Sequence, residues 1–265
     1  MTGLELAAVA AAAVIGATAQ SATGFGVALP LAPVLFAFAD PPDAVLMVLM
    51  GALGHNLLVL ATRRRHLDMR RDDIAVLVAG ALPGLLIGAL LVTSLPKPAL
   101  QFAVGAAIAL AVALRLHAPV AGAERQSLAT GAPVGFLAGL LTTTVGINGP
   151  PMVVWLRARG ADFARLRDTL AVVFLALNVL AIPGVASQGG SVSAGALGAI
   201  GGGLLVGHAA GLQAGARLGS GRLEGALVAL LVAAACASMA AGVSASSEAR
   251  MTSPRALGVF SRPEG

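Results

Sequence analysis

Two short stretches combine glycine, proline and polar residues inside otherwise apolar sequence, and they are where this chain could handle a ligand. The first is Thr23-Gly24-Phe25-Gly26-Val27-Ala28-Leu29-Pro30; the second is Thr144-Val145-Gly146-Ile147-Asn148-Gly149-Pro150-Pro151. Glycine and proline interrupt helices, and within a bilayer an interruption leaves backbone groups that only protein or a water-lined cavity can satisfy. The half-helices that follow Gly26 and Gly146 are expected to aim free N–H groups and positive dipole ends inward, while the glycines permit close approach. That chemistry suits a small anion.

Polar neighbours extend both stretches. Gln20, Ser21 and Thr23 flank the first, and Thr142, Thr143 and Thr144 the second; the ordinary role of such hydroxyls is a bond to the preceding turn. Asn56 and Asn178 sit within apolar runs, where each suits a ligand site or a bond between helices equally well. The candidate binding set is Gly24, Gly26, Pro30, Asn56, Thr144, Gly146, Asn148, Gly149, Pro150 and Asn178. His55 reads as an interfacial residue near Arg63, and His208 as a packing residue in a glycine-rich helix.

Several chemistries are excluded. Glu5, Asp43, Asp73, Asp168 and Glu224 all sit at the ends of apolar runs, which leaves no carboxylate relay for protons or sodium. No glycine loop ends in Lys-Ser or Lys-Thr, so ATP is not the direct drive. Zinc-protease spacing and a serine elbow are missing, and Cys236 stands alone, so neither a disulfide nor a cysteine metal site can form. The expectation is a protein that is not an enzyme and needs no metal or cofactor.

The elements that must hold these residues follow from composition. Of 265 residues, 57% are hydrophobic, 34 are glycine and 11% are charged; soluble domains carry about 25% charged residues. Uncharged runs such as Leu6 to Ala39, Ala44 to Thr62, Ile74 to Pro96 and Thr169 to Ala216 are far longer than barrel strands. At about 20 residues per span they predict an all-α, polytopic integral membrane protein with about eight to ten membrane segments. No basic residue precedes Arg63, so the first run is expected to be a retained helix and not a signal peptide. The net charge of +5 comes from residues between the runs, a mark of topology and not of nucleic-acid binding.

The runs Leu6 to Ala39 and Gln126 to Leu156 would be about 51 and 46 Å long as unbroken helices, too long for one crossing. Each is broken at one of the two stretches above. Gly26 and Pro30 match Gly146 and Pro150, Asn56 matches Asn178 at nearly the same spacing, and Gly84 and Gly88 pair with Gly211 and Gly215. An internal duplication follows: residues 1–118 form a first membrane repeat, 119–125 a connecting loop, 126–245 a second repeat, and 246–265 a disordered tail. Equivalent loops differ in charge. Arg63, Arg64, Arg65, Arg70 and Arg71 follow the Asn56 run, whereas residues 187–193 carry none; conversely the 40–43 stretch has no basic residue, whereas its counterpart in the other half holds Arg157, Arg159, Arg165 and Arg167. That pattern predicts inverted repeats whose broken runs bend back at their glycines, with the basic side cytoplasmic.

Together the two breaks, and the stretch Arg167-Asp168-Thr169 followed by Phe174 and Asn178, resemble the TauE/SafE sulfite exporter family across roughly residues 4–243. Gly26-Val27-Ala28-Leu29 stands where many members carry a run of glycines, and Asn148 where a further glycine is common. The resemblance implies a multi-pass permease of the bacterial plasma membrane whose partners are the bilayer and a small anionic substrate, sulfite or an organosulfonate such as sulfoacetate. Export by alternating access of two inverted repeats is the expected mechanism. The competing readings are a permease for another small solute or a cation, and a membrane subunit that transports nothing; convergence of Asn56, Asn148 and Asn178 would speak against the last.

Overall fold

The computed structural model describes residues 1–24, 26–62, 67–116, 126–217 and 232–244. Phe25, Arg63 to Arg65, the expected loop 119–125 and the expected tail 246–265 lie outside the described residues. Within them every regular element is helical. The order is α1 (Gly3–Thr23), α2 (Ala28–Phe38), α3 (Pro41–Ala61), α4 (Arg71–Ser94), α5 (Lys97–Leu116), α6 (Gly131–Val145, led by the 3₁₀ turn Leu128–Thr130), α7 (Gly149–Ala158), α8 (Phe163–Ala186), α9 (Ala194–Arg217) and α10 (Val232–Ser244).

Six of these, α1, α3, α4, α6 with its leading turn, α8 and α9, are long and apolar enough to cross a bilayer. Leu86 and Leu90 of α4 and Leu205 and Val206 of α9 are all at least 60% exposed, an outward face that fits lipid and not water. The chain is therefore a multi-pass, all-α membrane protein. In contrast, α2 and α7 have 11 and 10 residues, about 17 and 15 Å, half the thickness of a hydrocarbon core.

Long helices meet through glycine. Without water to drive apolar surfaces together, helices in lipid gain by close backbone approach, and small residues permit it. Helix α4 lays Gly80, Gly84 and Gly88 against Ala132, Phe136 and Leu140 of α6, while α9 lays Gly203, Gly207 and Gly211 against Ala10, Val14 and Thr18 of α1. A Cβ at Gly84 would land on the Phe136 carbonyl oxygen, and one at Gly207 on that of Val14. The glycines of α9 that answer Gly84 and Gly88 are thus Gly207 and Gly211, one turn earlier than the spacing in the sequence suggests. Helix α1 packs chiefly on α9, and α6 on α4.

The two broken runs are hairpins that enter from opposite ends. At one end Met1, Phe38, Asp40, Lys97 and Ser191 surround a single depression, so α1 starts where α2 finishes. The α2 segment folds back along α1, where Gly16 has no room for a side chain beside Val27. At the other end the Gln126 amide donates to the Ala158 carbonyl, Arg159 Nη1 donates to the Gln126 carbonyl at 2.7 Å, and the Trp155 indole donates to Thr130 at 2.9 Å. There α6 starts where α7 finishes. Arg159 also pairs with Asp73 at 2.9 Å and sits 5.1 Å from the Trp155 ring, which fixes α7 to the start of α4.

Candidate functional site

Both hairpins turn by the same device. Gly24 ends α1 at φ 94 and its amide donates to the Gln20 carbonyl at 2.7 Å; Gly146 ends α6 at φ 76 and donates to the Thr142 carbonyl at 3.1 Å. Left-handed geometry strains any residue with a Cβ, and glycine adopts it freely. Gly24 and Gly146 are therefore equivalent, where the sequence pairs Gly26 with Gly146. The same numerical shift relates Asp40, which precedes α3, to Asp162, which precedes α8, and Asn56 to Asn178.

The first turn of a helix carries amides without intrahelical partners. At α2 the Val27 amide is taken by Oε1 of Gln20 at 2.9 Å and the Leu29 amide by the Gly26 carbonyl at 3.2 Å, while Pro30 has none. Ala28 remains. At α7 the prolines at 150 and 151 have no N–H, which leaves Asn148 and Gly149. Few donors survive at either N-terminus, so an anion held here needs side chains as well.

Those side chains are present. Gly26, Asn56, Gly146, Asn148, Gly149, Pro150 and Asn178 line one cavity of about 30 Å³, together with Gln20, Val27, Ala28, Leu29, Ala52, Ile147 and Phe174. Pockets for drug-sized ligands run to about 300 Å³ and more, so this one fits only a small group. Asn56 and Asn178 are 1% and 2% exposed, and in both the Nδ2 is buried with no hydrogen-bond partner. A buried donor left unpaired costs about 1–3 kcal/mol. Two such donors in one small cavity are what an absent acceptor would leave. Gln20 holds Asn56 in place, its Nε2 donating to Oδ1 at 2.8 Å. No residue lining the cavity is acidic.

Three of the ten candidate residues lie elsewhere. Gly24 faces the Arg167 side chain, which a Cβ there would strike. Pro30 lines an apolar groove between α1, α2, α5 and α10. Thr144 turns its hydroxyl to the Leu140 carbonyl at 2.7 Å, and Thr142 and Thr143 bond likewise to Ala138 and Gly139 one turn back. Gln20 and Phe174 line the cavity outside the candidate set. Gln20 was visible only as a polar flank of the first break, and Phe174 only as part of the stretch from Arg167 to Asn178 that carries the family resemblance. The convergence of Asn56, Asn148 and Asn178 on one cavity is the arrangement that a membrane subunit without a substrate would lack.

Comparison with known proteins agrees with this architecture. Residues 8–239 match the family described as sulfite exporter TauE/SafE. A curated protein of Cupriavidus necator, named "Probable sulfite/organosulfonate exporter TauE", is 28% identical over 163 residues, which covers 58% of this chain and 62% of that protein. The chain thus matches less than two thirds of the length of that relative. No solved structure matches.

Proposed function

Because the chain belongs to the sulfite exporter TauE/SafE family, a family of transporters and not of enzymes, we propose that it is a secondary permease that exports a small oxyanion, sulfite or a related organosulfonate, across the bacterial inner membrane. The observation that carries the reading is the pair of unpartnered Nδ2 donors of Asn56 and Asn178 in one cavity between two helix N-termini. An oxyanion has several acceptor lone pairs and negative charge; it would satisfy both amides and the positive ends of α2 and α7 together. A cation would need carbonyl or carboxylate oxygens instead, and the lining offers no carboxylate. The volume favours a group the size of sulfite; a longer organosulfonate would fit with its sulfonate in the cavity and its tail along an opening path.

Alternating access of two inverted repeats is the mechanism proposed. Supporting it are the hairpins entering from opposite ends, the equivalence of Gly24 with Gly146 and of Asn56 with Asn178, and the packing of α1 on α9 and of α6 on α4. The site, buried among helices from both halves, would open first to one end and then to the other as the halves rock. With the arginine-rich end inside the cell, each negative charge that leaves gains about 2.3 kcal/mol per 100 mV of membrane potential. Purified protein in liposomes on a solid-supported membrane tests the reading: a saturable current or isotope flux with sulfite, lost in Asn178→Leu, is expected. Absence of both current and flux for sulfite, thiosulfate, sulfate, sulfoacetate and taurine would refute it.

A further inference from the structure

A second polar cluster, centred on two buried histidines, lies beside the cavity, built from the half-buried Ser21 of α1, His55 of α3, His208 of α9 and the exposed Thr62 at the end of α3. Ser21 Oγ is 3.2 Å from His55 Nε2 and 2.8 Å from His208 Nδ1, and Thr62 Oγ1 is 3.2 Å from His208 Nε2. The rings are 5.5 Å apart, nearly perpendicular, and 0% and 5% exposed. Nδ1 of His55 is buried with no partner. Expected at the interface, His55 is instead enclosed by α1 and α9.

The direction of these bonds follows from the outer end. The Thr62 hydroxyl donates to the Leu58 carbonyl at 2.9 Å, so its oxygen accepts the Nε2–H of His208. A neutral imidazole has one N–H; His208 Nδ1 is then bare and accepts the Ser21 hydroxyl. Ser21 in turn accepts Nε2–H from His55. The chain of bonds ends on the bare lone pair of His55 Nδ1, a basic nitrogen inside the membrane with nothing bonded to it.

Among the described residues, the helices around this cluster carry few charges; Arg63, Arg64 and Arg65, which follow Thr62 in the chain, lie outside the described residues. Helices α1, α3 and α9 carry Glu5, Asp43 and Arg217 only near their ends, and α2 and α6 carry none. Helix α4 contributes Arg71, Asp72 and Asp73 at its start, and α8 contributes Arg165, Arg167 and Asp168 in its first turns. Among the described residues, the hydrogen-bond partners of the rings are Ser21 and Thr62.

The cluster is tied to the cavity by register. Gln20 and Ser21 are neighbours on α1, and Asn56 and His55 neighbours on α3, so the two helices are joined by adjacent bonds, Gln20 to Asn56 and Ser21 to His55. We propose that the Ser21-linked pair His55 and His208 is a proton-binding site whose occupancy is coupled to that of the neighbouring cavity, so that anion movement is linked to protons. The inference rests on reading the cavity as an anion site.

One proton adds to Nδ1 of His55. Its charge reaches His208 by one shift along each bond, from His55 Nε2 to Ser21 and from Ser21 to His208 Nδ1; release then passes the Nε2 proton of His208 to water beside the exposed Thr62, so that one proton enters and one leaves. Two imidazoliums at this separation repel, so the pair holds a single proton. An anion beside Asn56 stabilises that charge, and the charge stabilises the anion, a coupling that is reciprocal.

The test reads the two fluxes separately in liposomes holding full-length protein, a trapped pH-sensitive dye and radiolabelled sulfite. Proton movement accompanying sulfite in the wild type is expected, with the proton-to-sulfite ratio falling about tenfold or more in Ser21→Ala and His55→Gln and recovering in Ser21→Thr. Sulfite flux without proton movement, or a ratio unchanged in both variants, would overturn the proton site and leave the permease standing. If sulfite does not move at all, the permease reading fails, and histidine 15N spectra of a His66→Gln, His117→Gln background decide the site alone. Two rings that share one proton, and titrate independently after Ser21→Ala, support it; rings that stay neutral, or titrate alike with and without Ser21, overturn it.

Discussion

Gln20 ties the first break to α3: its Nε2 donates to Oδ1 of Asn56 over 2.8 Å while its Oε1 accepts the Val27 amide over 2.9 Å. With Oδ1 engaged, Asn56 can offer the cavity only its Nδ2 donor, so Gln20 decides which end of that amide a ligand meets. One side chain thus holds the entry of α2 and orients a donor on α3.

Gln20→Leu leaves the Val27 amide and Asn56 Oδ1 buried without partners, at about 1–3 kcal/mol each. Thermal unfolding of the purified protein should fall accordingly. Gln20→Glu keeps an acceptor for Val27 but sets a negative charge against the cavity, so it should lose sulfite flux with a smaller loss of stability. Equal flux in Gln20→Glu and wild type would count against an anion site.

Asn178→Asp is nearly isosteric and turns a donor into a carboxylate. If the cavity holds an oxyanion, flux should drop at least about tenfold, equivalent to about 1.4 kcal/mol, while the protein remains monodisperse. Unchanged or increased flux, especially of a cation, would redirect the assignment to a cation permease.

Much of the site was legible because its parts leave chemical marks: glycine where a helix must stop, and asparagine where lipid would forbid an unpaired amide. Register was harder. The matching prolines draw Gly26 onto Gly146, yet proline marks where α2 and α7 begin and not where α1 and α6 end; the glycines that end α1 and α6 in left-handed geometry are Gly24 and Gly146, although Gly26 also has a positive φ. Glycine recurs every fourth residue from Gly203 to Gly215, so only the carbonyls of α1 distinguish Gly207 from Gly211 as the partner of Gly84. His55 looks interfacial because an apolar run ends near it, but α9 lays His208 across it. Such contacts between distant helices leave no local pattern to read.

Glycine packing gives a prediction that does not depend on transport. Gly84→Ala drives a Cβ into the Phe136 backbone and should destabilise the protein by about 1–3 kcal/mol. Gly198, on a face of α9 with nothing within 4 Å, is the control: Gly198→Ala should be neutral or stabilising, by up to about 1 kcal/mol from helix propensity. Thermal melts of both variants in the same detergent check the contrast, and equal melting points would contradict the close approach of α4 and α6.

The single tryptophan reports on the second hairpin. Trp155 is 2% exposed, its indole bonds Thr130, and Arg159 lies over its ring while pairing with Asp73, whose side chain is 3% exposed. Asp73→Asn removes the charge that holds Arg159 at the start of α4. Breaking a buried pair by removing one partner costs about 3–5 kcal/mol, because the other charge is left uncompensated; Arg159 is expected to escape part of that cost by swinging off the ring toward water. Trp155 emission should therefore change in Asp73→Asn. If α7 moves when its N-terminus captures an anion, sulfite should also change the emission of the wild type saturably, and Asn178→Leu should abolish that response while leaving the resting spectrum intact. Emission that ignores both the variant and the anion would mean that α7 stays fixed to α4 throughout, and that the moving parts of the cycle lie elsewhere.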